Sequence, residues 1–349
     1  MKKRKLKSGV VMVLAVILAV FLAGCGGDAR EDEIENISKK YSVPEEKQLT
    51  IYTSHKEEVY LPIIREFEER TGIWVEIHSG GTAEMFENVS EDSEKGECDI
   101  MFGGGAEYYE AKKDLFVPYR PSSINELDEN YLSGDDLWTP FTELPIVFIY
   151  NPKLVSVMDA PKSWRDLFDE VWKGKIAFAD MTVSGTSYTI LSIMEQLFGE
   201  NLQSLIPRFY GQLDGNVLES SGDIIPSVET GKCLVGITLE ETAKKYIKKG
   251  YDIAMIYPSD GTTALPDACA MVKNAPHSYN AGKFIDFIVD YDTQKYAMEQ
   301  FYRRPSRKDI ELSSEYGKVS FIDFDIGKSA EEEKTAMEIW AGLSSEGGN

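Results

Sequence analysis

The sequence is short of the residues from which most catalytic and metal sites are built. It has three histidines, His55, His78 and His277, in separate segments, and four cysteines without C-x-x-C spacing. H-E-x-x-H, G-x-S-x-G, G-x-x-x-x-G-K-[ST] and G-x-G-x-x-G are absent, so no zincin, hydrolase elbow, P-loop or dinucleotide fingerprint is present. Catalysis is the minority reading, and no cofactor is expected. Positive charge is also scarce, with 37 Lys and Arg against 59 Asp and Glu for a formal −22. Such a surface repels phosphodiester backbones, which argues against a nucleic-acid partner. No period of about 20 to 50 residues repeats, so solenoids and propellers are excluded.

Long apolar runs are missing too, apart from Val10 to Ala23, which follows Lys2, Lys3, Arg4, Lys5 and Lys7. This run is short for a hydrocarbon core that takes about 20 helical residues to span. It fits the apolar segment of an export signal. Leu22-Ala23-Gly24-Cys25 resembles the bacterial lipobox, which implies cleavage after residue 24 and a lipid on the Cys25 sulfur. Residues 1–24 are then a signal peptide and 25–47 a polar, flexible tether. The protein is expected outside the cytoplasm, lipid-anchored to the cell membrane. Removing the five basic leader residues takes the net charge from −22 to −27. Cys98, Cys233 and Cys269 remain, an odd number beside apolar residues, and read as buried free thiols.

The fold begins after the tether. Leu49 to Thr53, Ile73 to Ile77 and Asp99 to Phe102 read as strands, and Tyr60, Ile63, Ile64 and Phe67 share one helical face before Gly72. Strands alternating with helices predict an α/β domain with a largely parallel sheet. A second set follows Asn151-Pro152: strands Ile176 to Ala179, Leu234 to Thr238 and Ile253 to Tyr257, and a helix from Tyr188 to Phe198. The chain is long enough for two lobes of about 100–150 residues each.

In such sheets ligands sit beyond the carboxyl ends of the strands, where helices begin with unpaired N–H groups. Four junctions of this kind are rich in Gly, Ser and Thr: Thr53-Ser54-His55, Gly80-Gly81-Thr82, Gly103-Gly104-Gly105 and Ser184-Gly185-Thr186-Ser187. Glycine admits close backbone approach, hydroxyls donate, and each exposed helix terminus favours an anion by about 0.3–1 kcal/mol. Together they predict an oxyanion cleft, although each one alone also reads as an ordinary cap or turn. His55 is equally a metal or phosphate contact and a surface histidine near a cap. Glu240 or Glu241, at the start of a helix, recognises an ammonium, a hydroxyl or a metal, or else complements the helix dipole. Tyr108, Tyr109 and Trp138 pack on a ligand or fill the contact between lobes.

The chain resembles the bacterial extracellular solute-binding proteins of ABC importers, in the branch that includes ferric-iron, 2-aminoethylphosphonate and sugar-phosphate binders. The resemblance is carried by Leu49 to Glu57, Asp99 to Gly105, Tyr150-Asn151-Pro152, Pro161 to Trp164, Trp172 to Ala177, Ser184 to Ser187, Asp260-Gly261-Thr262, Lys273 to His277 and Arg303-Arg304-Pro305. It implies a type II periplasmic-binding-protein-like fold, two α/β lobes hinged by two crossing strands at Leu144 to Tyr150 and Ile256 to Leu265. Lobe 1 is expected over 48–147 with 264–305, and lobe 2 over 148–263 with 306–345. The implied ligand set is Ser54, His55, Gly81, Thr82, Gly104, Ser184, Gly185, Thr186, Ser187, Glu240, Glu241 and Asp260. Iron-binding members use a histidine where His55 stands, but the place of their adjacent tyrosine pair reads Thr238-Leu239-Glu240-Glu241-Thr242 and holds no tyrosine, so His55 is a metal ligand only on the ferric reading. The resemblance therefore implies a monomeric lipoprotein that captures a small phosphonate or phosphate ester and delivers it to a membrane permease and its ATPase. The rival readings are a ferric-iron receptor, a secreted phosphate-ester hydrolase and a ligand-sensing module for a signalling partner.

Overall fold

The computed structural model describes residues 43–346. The signal segment, Cys25 and the tether up to residue 42 lie outside the described residues.

The first sheet starts with β1 (Gln48–Thr53), β2 (Trp74–Ser79), β3 (Ile100–Gly105), β4 (Phe116–Val117) and β5 (Thr139–Glu143). The second holds β6 (Ile146–Tyr150), β7 (Ile176–Ala179), β8 (Val217–Leu218), β9 (Val235–Leu239) and β10 (Ala254–Ile256). The chain then returns to the first sheet as β11 (Pro266–Val272) and β12 (Arg304–Pro305). The strand orders are β12-β5-β11-β3-β1-β2, with β4 on β11, and β10-β6-β9-β7-β8.

The expectation of a largely parallel first sheet needs correction. β1 pairs in parallel with β2 and β3, but β11 runs antiparallel to β3, β4 and β5. The reason is the crossing itself. A strand arriving from the other lobe enters at the end where the outgoing strands leave, so its direction is reversed. β6 is likewise antiparallel to β9 and β10 in the second sheet. The carboxyl ends of β1, β2, β3, β7 and β9 consequently face the gap between the sheets.

Helices supply the outer layers. In α1 (Glu57–Thr71), Val59, Ile63, Ile64 and Phe67 are buried on one stripe, and Gly72, at φ +66°, closes it with its N–H on the Glu68 carbonyl at 2.8 Å. α2 (Thr82–Ser93) follows β2, and the short α3 (Ala106–Ala111) follows β3. α4 (Gly185–Phe198) and α5 (Leu202–Leu213) cover the second sheet, with α6 (Ile224–Glu229) and α7 (Glu240–Lys248) on its other side. α8 (Ser278–Ile288) and α9 (Tyr291–Phe301) return to the first sheet. The final α10 (Ile326–Glu346) buries Ala336 and Trp340 in the core that contains Phe178 and Phe209. It also reaches the other lobe through Lys112 Nζ and Glu333 Oε2, 3.4 Å apart. Cys98, Cys233 and Cys269 are buried free thiols.

The lobe boundaries shift slightly. Ile146 and Val147, expected in lobe 1, pair with Leu239 and Thr238 of β9. Ser306 and Arg307, expected in lobe 2, stay with the first sheet: Ser306 Oγ donates to the Phe141 carbonyl at 3.1 Å and Arg307 bridges Leu127. Only Leu144 and Pro145 separate β5 from β6, so the outward crossing is short.

Candidate ligand-binding site

The strand ends of both sheets open onto one cavity of about 260 Å³. Ten of the twelve candidate residues line it: Ser54, His55, Gly81, Thr82, Gly104, Ser184, Gly185, Thr186, Ser187 and Glu241. On the first wall, Ser54 and His55 follow β1, and Gly81 and Thr82 start α2. Gly104, at φ +87°, leaves a position where a Cβ would lie 3.0 Å from Thr82 Cγ2 and 3.2 Å from Phe86. Its glycine lets the β1, β2 and β3 loops converge.

The opposite wall is the start of α4. Ser184 occupies the cap position without making a side-chain capping bond, and no acidic residue stands in the first turn. Among the first N–H groups of this 14-residue helix, that of Ser187 takes the Ser184 carbonyl at 3.0 Å, while those of Gly185 and Thr186 have no intrahelical acceptor, so the positive end of the helix lies at the cavity with Ser184, Thr186 and Ser187 in its lining. Glu241 also lines this side, its Oε1 accepting from the Thr242 hydroxyl at 2.7 Å.

The floor is ionic and buried, and sequence reasoning missed most of it. Arg303 Nη1 donates to Asp267 Oδ2 at 2.7 Å and to Thr142 Oγ1 at 3.0 Å. Asp267 Oδ1 accepts from the Thr142 N–H at 2.9 Å and hydroxyl at 2.6 Å. Burial pushes the Asp267 carboxyl up, while Arg303 and Thr142 oppose that shift. His55 Nε2 sits 3.2 Å from Asp267 Oδ2 but off the hydrogen-bonding direction, and its ring meets the edges of Phe102 and Phe141. Burial, reinforced by Arg303, holds the His55 pKa well below its usual value, so the ring is neutral. Arg303 Nε is buried without a partner. Lys56 is the other cation of the lining. Arg303 stands in the quoted Arg303-Arg304-Pro305 run. Nothing local marks which arginine turns inward, because the partners Thr142 and Asp267 come from β5 and β11.

Two candidates lie off the cavity. Glu240 is 1% exposed and bound by Arg304, Nε to Oε2 at 2.7 Å and Nη2 to Oε1 at 3.1 Å, with the Tyr257 hydroxyl also donating to it. Its carboxylate complements the α7 dipole and ties β12 to the other lobe, so it is unavailable to a solute. Asp260 accepts the Trp164 N–H at 3.2 and 3.1 Å, while Trp164 Nε1 donates to the Gly261 carbonyl at 2.8 Å. It anchors a loop of the second lobe. Of the aromatic candidates, Tyr108 packs behind Gly185 between the lobes, where a Cβ on that glycine would meet its ring at 3.1 Å. Tyr109 donates to the Gly103 and Ala268 carbonyls at 2.7 and 2.8 Å. Trp138 donates to Glu110 at 2.8 Å. All three are structural.

Glu107 is a further lining residue absent from the candidates. It is buried at the foot of the cavity, and Thr189 Oγ1 of the opposite lobe donates to its Oε1 at 2.7 Å. Among the described residues, no group of three or more His, Cys, Asp or Glu side chains is arranged to hold a metal ion, and no helix is long and apolar enough to cross a membrane.

Residues 99–330 match a family model described as bacterial extracellular solute-binding protein. A putative 2-aminoethylphosphonate-binding periplasmic protein of Salmonella typhi is 22% identical over 73% of this chain and 76% of its own length. The periplasmic binding protein AfuA of Actinobacillus pleuropneumoniae, solved with exogenous fructose-6-phosphate, superposes with a TM-score of 0.76 at 22% identity, over 84% of this chain and 98% of that one. A ferric binding protein from Campylobacter jejuni gives 0.77 at 23% identity, over 84% and 99%. These structures share the two-lobe, type II periplasmic binding protein fold with this chain.

Proposed function

The chain belongs to the bacterial extracellular solute-binding protein family, and from that premise we propose that it captures a small phosphonate or phosphate ester between its lobes for an ABC importer. The observation that carries this reading is the rim of Ser54, Thr82 and Ser184 to Ser187, a set of neutral donors gathered at the α4 N-terminus, with Gly81, whose N–H is taken by Glu84 Oε2 at 3.2 Å, leaving room beside them. Oxyanion oxygens accept several hydrogen bonds at once, and charge-assisted bonds of this type are about twice as strong as neutral ones. Arg303, with Nε spare, and Lys56 supply the positive charge, and Glu241 reads the other end of the solute. The names of the relatives agree in part, since phosphonate and sugar-phosphate binders stand beside iron binders. The ferric reading has no tyrosine pair to rest on, because the stretch Thr238 to Thr242 holds no tyrosine and its Glu240 is consumed by Arg304.

The protein works as a monomer tethered by lipid on Cys25, its lobes closing over the solute before it docks on the permease and its ATPase. Isothermal titration with 2-aminoethylphosphonate, hexose phosphates and ferric citrate tests the reading. Binding of a phosphorus oxyanion is the expected result. Binding of ferric citrate alone overturns it, and turnover of a bound ester would make the protein a hydrolase instead.

A further inference from the structure

Glu107 is an anomaly in a chamber suited to anions. It is 1% exposed, its Oε1 is held by Thr189 across the cleft, and its Oε2 is buried with no hydrogen-bond partner. Space is kept for that oxygen: a Cβ on Gly105 would lie 2.2 Å from Oε2, although Gly105 has an ordinary φ of −70°. The glycine here serves room rather than backbone conformation. An ionised carboxylate beside a bound oxyanion would be repelled, and a neutral one has a proton to donate. A carboxylic acid held neutral by an apolar site is a hydrogen-bond donor of this kind.

We propose that Glu107 carries a proton that the site uses to hold its solute. With Oε1 fixed by Thr189, the protonated Oε2 donates to an oxygen of the anion, so capture takes up one proton from solvent whenever Glu107 starts ionised. The reaction balances as carboxylate, proton and anionic solute going to the hydrogen-bonded complex, with no bond of the solute broken. This rests on the oxyanion reading above and deepens it into a pH-dependent affinity.

The surroundings favour the neutral form. Burial is the largest influence and pushes the carboxyl up to about 7, against the Thr189 hydroxyl and the backbone N–H of Glu107 itself, with Glu333 of α10 adding to the rise. Lys112, the cation on its own side, is drawn to Glu333. Tyr108 on α3 and Tyr188 on α4 remain protonated, since burial raises both phenols. Asp267 and Arg303 face the same cavity but are paired with each other.

The test compares wild type with Glu107→Gln, whose amide donates but does not ionise. 2-Aminoethylphosphonate is titrated calorimetrically at pH 6, 7 and 8 in buffers of different ionisation enthalpy. Because the ligand's own titration is common to both proteins, only their difference is read. The ratio of wild-type to variant Kd is expected to rise about tenfold between pH 6 and 8, with nearly one extra proton taken up by wild type at pH 8. Parallel profiles and equal proton uptake overturn the inference while leaving the oxyanion reading intact. Absence of binding to wild type at every pH counts against both. Should the variant fail to fold, infrared difference spectra of wild type at pH 8 decide: gain of a protonated-carboxyl band on binding supports the inference, and no gain refutes it.

Discussion

Polar groups at the rim of the cavity and at the hinge beside it are used in opposite ways. At the rim, Ser184, Thr186 and Ser187 are neutral, and the Ser184 hydroxyl is not spent on its own helix. At the hinge, Glu240, Arg304 and Tyr257 form a charged cluster whose partners all lie within the protein. Glu240 and Glu241 show the contrast within one helical turn: consecutive residues point about 100° apart on a helix, so one faces Arg304 and the other the cavity. The lesson is that a site for an anion in a strongly acidic protein keeps hydroxyl donors at its rim, ties the carboxylates Glu240 and Asp267 to arginines, and holds Glu107 and Glu241 on threonine hydroxyls. Bulk electrostatics repels the proposed solute at a formal charge of −22, so attraction has to be local.

The largest expected effect comes from breaking the hinge. Arg304→Ala leaves the Glu240 carboxylate buried without its bidentate partner and should cost about 3–5 kcal/mol in urea unfolding. A loss under about 1 kcal/mol would show that the cluster is not the tie described. Breaking the rim should have the reverse signature. Thr186→Ala with Ser187→Ala removes two donors to a charged ligand, at about 1.5–3 kcal/mol each, and should weaken phosphonate binding by about 100-fold or more while the unfolding midpoint stays close to wild type. Unchanged affinity would remove the α4 loop from the site.

How far the sequence revealed this contrast depends on distance along the chain. The four glycine- and hydroxyl-rich junctions were legible because each is a local strand-to-helix turn, and all four contribute residues to the cavity lining. Asp267, Arg303 and Glu107 were not, because what distinguishes them is burial against partners far away: Thr142 is 161 positions from Arg303, and Thr189 is 82 from Glu107. Glu240 and Asp260 read as ligands for the same reason in reverse, since Arg304 and Trp164 take them up only through tertiary contacts. The antiparallel β11 was equally hidden, because alternation of strands and helices carries no record of the direction in which a returning strand enters.

The smallest of the effects concerns the floor. The unfolded chain binds a proton at His55 near pH 6.5, whereas the buried ring, with its pKa held well below that value, does not. Stability should therefore fall as pH drops below about 6.5, by up to about 1.4 kcal/mol per unit from this group. Glu107 acts at the other end, its raised pKa giving a contribution present below about 4.5 and lost as pH rises through about 7. Urea midpoints of wild type and His55→Gln at pH 6.5 and 5.5 isolate the histidine, and an identical pH slope in the two would contradict its buried, neutral state.

The most direct test of the central claim is a crystal structure of the protein with the solute that co-purifies with it or with 2-aminoethylphosphonate. The account predicts tetrahedral oxyanion density between the lobes, bonded to the α4 N-terminus and the Ser184 to Ser187 hydroxyls with Thr82 opposite. A metal ion held by His55, or density that leaves the α4 N-terminus unoccupied, would contradict it.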